Sequence, residues 1–465
     1  MSHNRPPGKK LAIVGLIGLV LIIPLVFVYG LVSDRQHQAR VAQDSIAAGW
    51  AGAQTVTGPV LVLPYNDQQV TTETVNGQAV RKTFTVRREL FISPTSQSVS
   101  ATLDPDVKER AIYKSVIYRA NISGSARFDL PDTLETIGVA PADLLLDDAE
   151  LRFGVSDPRG LQTDAQLSAN REALTLNPGR GPKSTRGTGV HANYDWSDGE
   201  EINLDWSYSL RGSRSFSFIP RGQSTEWSIQ SSWAHPSFTG AFLPDEDSKE
   251  ISADGFSASW GISNLALGQP MVSTDDISAP PPGDFVDVEM AREGASAMSM
   301  TGTVRMVEPV DLYSLVDRSV KYGFLFIGFT FLAFLMFDVI GGARVASAEY
   351  LLSGAGLILF FVMLLAFAEM IGFALAYLAA SAAIIGLITS YSAAVLKSWR
   401  RASVIGGLLV GLYALLYVLL NLEGLSLIIG SIMLFFALAG VMYATRNIDW
   451  SPENDDPASE GFVTS

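Results

Sequence analysis

Cysteine is absent from the 465 residues. Disulfides, thiolate chemistry and cysteine-based metal sites are therefore excluded. Histidine is nearly as scarce, and His3, His37, His191 and His235 are the chain's four imidazoles. Their scatter offers neither H-x3-H nor H-E-x-x-H spacing, so no metal site is expected. Cations are outnumbered, 33 Lys and Arg against 47 Asp and Glu, for a formal net charge of −14. That balance argues against binding nucleic acid or anionic lipid headgroups through a basic surface. A G-x-S-x-G elbow, a P-loop and an S-x-x-K motif are also missing. Without them no catalytic residue, cofactor-binding residue or cofactor is expected, and the chain does not read as an enzyme.

What the chain does have is apolar length: hydrophobic residues make up 48% and the mean hydropathy is +0.24. Residues 11–33 contain an uncharged run long enough to cross the ~30 Å hydrocarbon core as a helix. Lys9 and Lys10 precede it, but no small-x-small cleavage site follows, so it reads as an uncleaved anchor with Pro24 in its middle. Five more spans are expected between 319 and 444, at about 322–340, 350–368, 371–395, 402–421 and 424–444. Arg344, Lys397, Arg400, Arg401 and Arg446 fall on one side of this series, and Glu369 and Glu423 on the other. The positive-inside rule then places residues 1–10 and the tail 445–465 in the cytoplasm and residues 34–318 outside it, which is the periplasm if the membrane is a bacterial inner membrane. Lys321, Asp338, Glu349 and Glu369 fall at span ends, where they are expected to reach the headgroups. Small-residue stripes (Gly372, Ala376, Ala380; Ala382, Gly386, Ser390; Gly407, Gly411) predict close helix packing.

Residues 34–318 carry alternating β patterns. Asn76-Gly77 between "QQVTTETV" and "QAVRKTFTVRRELFI" signals a two-residue hairpin. Further runs are "YKSVIYRANISGSARFDL", "INLDWSYSLRGSRSFSFI", "TEWSIQSSW", "GFSASWGI" and "DFVDVEM", and "DTLETIGVAPADLLLDDAEL" suggests a short helix before a strand. The expected fold class is thus membrane α + β: six transmembrane helices, one N-terminal and five C-terminal, with a large mostly antiparallel β domain. "GRGPKSTRGTG" lacks the P-loop order and reads as an exposed loop.

Two histidines have acids nearby in sequence: His191 with Asp195, and His235 with Asp245 and Glu246. Either set can be drawn as a base and its orienter, although a histidine beside aromatics is more often packed or exposed. His235 sits in "SSWAHPSFTGAFLPDE", where Pro236 is expected to end the preceding strand and Gly240 and Pro244 to shape an Ω-like loop anchored by Phe238, Phe242 and Leu243.

Several segments resemble the CreD family of bacterial inner-membrane proteins. "SSWAHPSFTGAFLP" is similar to the family's W-x-H-P-S-F-x-G-x-F-L-P motif. Trp233, His235, Pro236, Ser237, Phe238, Gly240, Phe242, Leu243 and Pro244 carry that likeness. "DRSVKYGFLFIGFTFLAFLMF" and "YLLSGAGLILFFVMLLAFAEMIGFALAY" resemble the entry into the second span and the third and fourth spans. "TRNIDW", with Arg446, Asn447, Asp449 and Trp450, is similar to the segment closing the last span. Met370 departs from the pattern, since relatives often have His after the Glu, which sets aside a Glu-His pair at this membrane edge. The resemblance implies a role in envelope integrity and stress tolerance; with no catalytic constellation in the chain, that role is expected to rest on non-catalytic contacts with the bilayer and with envelope or membrane protein partners whose identity the sequence does not supply. A membrane enzyme or transporter acting on a lipid or cell-wall intermediate is the alternative. The Arg446 segment reads as an interfacial anchor.

Overall fold

The computed structural model describes residues 7–75, 78–132, 134–278, 300–307, 312–339, 345–421 and isolated residues between 428 and 446. The chain divides into two compact units, Met1–Ala39 with Val310–Ser465, and Arg40–Pro309. They are called the membrane unit and the β unit below.

Five described helices are long and apolar enough to cross a membrane: Lys10–Trp50, Leu312–Asp338, Ser347–Ile371, Phe373–Val395 and Trp399–Leu420. The first belongs to the helix Pro7–Trp50, which contains Pro24 and continues unbroken well beyond the expected end at 33. A sixth expected span, 424–444, lies mostly outside the described residues; Ile428, Gly430, Ser431 and Ile432 within it are helical. Asn447, Asp449, Trp450 and the tail also lie outside them. Arg446 is described, its guanidinium 4.0 Å from the centre of the Tyr443 ring.

Inside the membrane unit, backbone approach depends on glycines other than the expected ones. A Cβ on Gly354 would sit 2.1 Å from Leu21 Cδ1, one on Gly323 2.8 Å from Leu25 Cδ1, and one on Gly406 2.7 Å from Thr389 Oγ1. An added Cβ on Gly386, Gly407 or Gly411 would meet nothing within 4 Å among the described residues, whereas Ala376 and Ala380 are fully buried. Spacing alone identifies a small-residue face but not which face meets a neighbour. The charges at the span ends also turn inward. Lys10 Nζ lies 3.1 Å from Asp338, whose side chain is 4% exposed. Glu369 accepts a hydrogen bond from Tyr313 at 3.2 Å and lies 3.9 Å from Arg35. Pairing rather than snorkelling compensates these carboxylates. Glu349 instead folds back on the amide of Ala346 at the start of its helix.

The β unit is built from two mixed sheets, antiparallel except for one parallel pair in each. In sheet one, Gln54–Val75 pairs in parallel with Ser215–Ile219 and antiparallel with Gln78–Ile92 and Ala149–Val155. The order from one edge is Pro236–Gly240, Gly302–Met306, Ser215–Ile219, Gln54–Val75, Ala149–Val155, Gly189–Tyr194 and Asn177–Pro178. In sheet two, Ser224–Ser231 lies between Gly255–Ser263 and its parallel neighbour Ser96–Arg110, which is followed by Tyr113–Phe128 and Ile202–Ser213. Alternation is clean where one face meets the core: Ser224–Ser231 and Gly255–Ser263 bury every second residue. The two inner faces share one core. Rings cross it from sheet to sheet: Phe218 stacks on Trp227 at 4.5 Å, and Phe153 meets Trp206 edge-on at 5.4 Å.

Two expected strands are divided by the sandwich. "INLDWSYSLRGSRSFSFI" breaks at Arg214 (φ +64°), so that Ile202–Ser213 serves sheet two and Ser215–Ile219 sheet one. The expected helix near 134 is a series of single 3-10 turns, Leu134–Ile137, Pro141–Asp143 and Leu146–Asp148. Asn76, Gly77 and the "DFVDVEM" run lie outside the described residues, but Val75 opposite Gln78 fixes a two-residue hairpin connection.

Candidate functional site

The segment singled out in the sequence begins where Ser224–Ser231 leaves sheet two. The chain turns through residues 232–235 and enters sheet one as the strand Pro236–Gly240, which pairs antiparallel with Gly302–Met306. The expected Ω-like loop is therefore an edge strand. The preceding strand ends at Ser231, ahead of Pro236 as expected, and Pro236 opens a new strand with only one neighbour, where a missing N–H is tolerated.

The aromatic side chains here each have a structural task, whereas Leu243, expected as an anchor, is exposed. Trp233 is half-buried against the core, and its Nε1 donates to the Val307 carbonyl at 3.0 Å. The Val307 amide returns a bond to the His235 carbonyl at 3.2 Å. Phe238 meets Phe256 and Trp260 edge-on, at 5.7 and 5.9 Å. Trp260 Nε1 donates to the Phe242 carbonyl at 3.3 Å, while the Phe242 amide donates to Thr301. Pro244 is buried, Ser237 is half-buried opposite Arg305, and Leu243 is 61% exposed. Gly240 has φ +104°, and a Cβ there would stand 2.3 Å from the Thr301 carbonyl oxygen.

His235 is exposed, and none of the described contacts joins its ring to Asp245 or Glu246; Glu246 pairs with Lys249 at 2.7 Å. The other pair also comes apart. His191 Nδ1 lies 3.2 Å from the Gly179 carbonyl. Asp195 accepts from the amide and hydroxyl of Ser197, which hold its carboxyl below the usual range. Neither histidine forms a base–orienter pair among the described residues. His235→Ala is therefore expected to change stability by less than about 0.5 kcal/mol. Phe238→Ala should cost about 2 kcal/mol, less than for a fully buried ring, because the strand is at an edge. Urea denaturation of the two variants checks the contrast.

Beside the segment, Ser231 and Ser232 line an open groove of about 690 Å³ with Thr102, Asp104, Asn121, Gln230, Glu250 and Asp254. It presents carboxylates, hydroxyls and amides, the surface chemistry for hydrogen bonding to a polar partner. No group of three or more His, Cys, Asp or Glu suited to a metal occurs among the described residues.

A second centre escaped the sequence reading. "GRGPKSTRGTG" is not an exposed loop: Ser184 and Thr185 are buried. Thr185 packs so closely on the sheet that a Cβ on Gly154 would lie 2.7 Å from its Oγ1. Asp276 fixes this loop by accepting from the Lys183 amide at 2.6 Å and from Ser278 Oγ at 2.6 Å. Ser278 Oγ in turn accepts from the Ser184 amide at 3.1 Å. Arg221 lies 3.3 Å from Asp276, and both side chains are 4% exposed. Nearby in the same sheet, Arg152 bridges Glu89 and Glu150, and Glu150 also holds Arg180. These charges are matched within the fold, which suits them to fixing the loop rather than to proton transfer. The only sequence signal for the clamp is the short Asp276-x-Ser278 turn pattern.

A family model described as "Inner membrane protein CreD" matches residues 7–451. The Escherichia coli (strain K12) protein "Inner membrane protein CreD" is 31% identical over 441 residues, spanning 93% of this chain and 91% of that protein.

Proposed function

The chain belongs to the CreD family of inner membrane proteins, and from that premise we propose that it supports cell-envelope integrity through non-catalytic contacts of its β unit. In this reading the β unit faces the periplasm and both termini the cytoplasm. Lys9 and Lys10 in the first turn of Pro7–Trp50, Lys397 between Phe373–Val395 and Trp399–Asn421, and Arg400 and Arg401 in the first turn of the latter support that orientation. The contacts would be made with envelope or membrane protein partners through polar surfaces such as the groove beside Ser231.

One observation carries the non-catalytic reading: the family motif is committed to packing. Trp233, Phe238, Phe242 and Pro244 fasten the sheet-to-sheet corner, and the one titratable group of that motif, His235, faces solvent with no acid bonded to it among the described residues. Transport is the second reading. It is favoured by Asp338, a carboxylate almost wholly buried in the membrane unit, although Lys10 matches its charge.

Rescue of envelope-stress survival in a strain lacking this gene tests the proposal. His191→Ala, His235→Ala, Asp195→Ala and Asp338→Asn are expected to rescue at normal abundance, and Trp233→Ala to fail through reduced abundance. Loss of rescue at normal abundance by His235→Ala or Asp195→Ala would support an enzyme instead. The same result for Asp338→Asn would support transport.

A further inference from the structure

The outer face of sheet two is laid out in polar rungs. Across Gly255–Ser263, Ser224–Ser231, Ser96–Arg110, Tyr113–Phe128 and Ile202–Ser213, the registers align Ser259, Ser228, Ser100, Ser123 and Ser207, one per strand. Two residues along each strand, the next rung is Ser257, Gln230, Thr102, Asn121 and Ser209. The residues that alternate with them, such as Ala258, Ile229, Ala101 and Ile122, are buried, so the rungs face outward. Exposed positions are where Lys, Arg, Asp and Glu normally collect, yet neither rung contains one. Serine is not among the strongly strand-forming residues either, so strand formation does not account for the pattern.

The second rung runs through the groove beside Ser231. Ser257, Gln230, Thr102 and Asn121 line it, and no Lys or Arg does among the described residues. Its volume of about 690 Å³ falls within the roughly 300–1,000 Å³ of small-molecule sites. Two amides in it are already oriented. Gln230 Nε2 donates to Thr102 Oγ1 at 2.8 Å, and Asn121 Oδ1 accepts from Ser209 Oγ at 2.9 Å. Gln230 Oε1 is left as an acceptor and Asn121 Nδ2 as a donor, neither with a partner among the described residues.

We propose that this groove binds an uncharged polysaccharide chain lying across the strands, an inference that rests on the envelope-contact reading above and gives one such contact its chemistry. Neighbouring strands stand about 4.7–4.9 Å apart, and a pyranose in an extended β-linked chain advances by a similar distance. Successive sugars then meet successive strands, hydroxyls against hydroxyls and amides. The charge balance selects among partners. A polyanion finds no cation in the groove, and a polycation finds carboxylates only outside the rung, at Asp104, Glu250 and Asp254. A protein partner concentrates its binding energy in large anchors seated in desolvated pockets, which an open row of short polar side chains does not provide.

The test uses the full-length protein in nanodiscs, free of sugar-based detergent, with N-acetylchitohexaose as the probe, an uncharged β-1,4-linked chain. Titration followed by saturation-transfer NMR is expected to show saturable binding that is unchanged from low to high salt. Asn121→Ala/Gln230→Ala should weaken it about tenfold, the scale of two lost hydrogen bonds. Asn121→Asp keeps the shape and the Ser209 bond but loses the donor, and should also weaken it, which separates recognition from misfolding. His235→Ala, outside the groove, should bind as the wild type does. Absence of saturable binding, equal binding by the wild type and Asn121→Ala/Gln230→Ala, or salt-sensitive capture of tetralysine in preference to the glycan would each overturn the proposal. Failure to bind the added glycan overturns this proposal alone, because the envelope-contact reading is scored separately, by rescue in cells.

Discussion

Asp276→Ala should lower the unfolding midpoint of the β unit by roughly 10 °C. Removing one partner of a buried ion pair costs about 3–5 kcal/mol, because the remaining charge is left in a low-dielectric site. For a domain of this size class each kcal/mol moves the midpoint by about 2–4 °C. Here the remaining charge is Arg221, 4% exposed, and the Lys183 amide and Ser278 hydroxyl lose their acceptor as well. The same cut releases the Lys183–Thr185 turn from the sheet, so exchange of its amides should accelerate first. Arg221→Met in the Asp276→Ala background removes the orphaned charge and should recover part of the loss.

The effect has a defined pH dependence. Desolvation pushes the Asp276 carboxyl up, but Arg221, the Ser278 hydroxyl and the amides of Lys183 and Ser278 outweigh it and hold the group below its ordinary value. The unfolded chain therefore binds this proton more readily than the folded one. The contribution is complete above the ordinary carboxylate value of about 3.9 and is lost as pH falls through the folded value. Melting curves of the wild type and Asp276→Ala should differ most near neutrality and converge in acid. A gap that widened as pH fell would contradict the assignment.

Gly240→Ala should cost about 3 kcal/mol and act locally. Left-handed backbone costs an L-residue roughly 1–2 kcal/mol, and here the added methyl would also stand 2.3 Å from the Thr301 carbonyl. The Pro236–Gly240 strand would have to move off Gly302–Met306, taking with it the bond from the Phe242 amide to Thr301. Hydrogen exchange at Phe242 should rise sharply while that of Trp227, in the centre of sheet two, is little changed. Thr239→Ala, an exposed change in the same strand, should stay within about 0.5 kcal/mol. If Gly240→Ala matched it, the strand assignment would fail.

The long apolar helices were legible because twenty apolar residues in succession have few other uses, and the strands because alternation survives wherever one face meets the core. Sheet changes were harder to read. Ile202–Ser213 and Ser215–Ile219 form a continuous pattern, and only the αL residue Arg214 separates them. The preceding strand stops short of Pro236 as the local rule predicts, but the new strand that Pro236 opens depends on tertiary position at a sheet edge. The Arg221–Asp276 clamp joins residues far apart in sequence, and neither residue type reveals its partner without the fold. Asp338 and Glu369 lie at helix ends as expected, and are paired with Lys10 and Arg35, Glu369 also accepting a hydrogen bond from Tyr313. Sequence supplied their depth in the membrane but not the direction they face.

Contact of the β unit with the envelope, as proposed, requires it to lie outside the cytoplasm. Single cysteines in the otherwise cysteine-free chain test this most directly: Asp254→Cys at the groove and Ser398→Cys in the basic connection, probed with a membrane-impermeant maleimide in spheroplasts. Labelling at 254 without lysis, and at 398 only after lysis, is the predicted result. Labelling at 398 in sealed spheroplasts, with 254 protected until lysis, would contradict it.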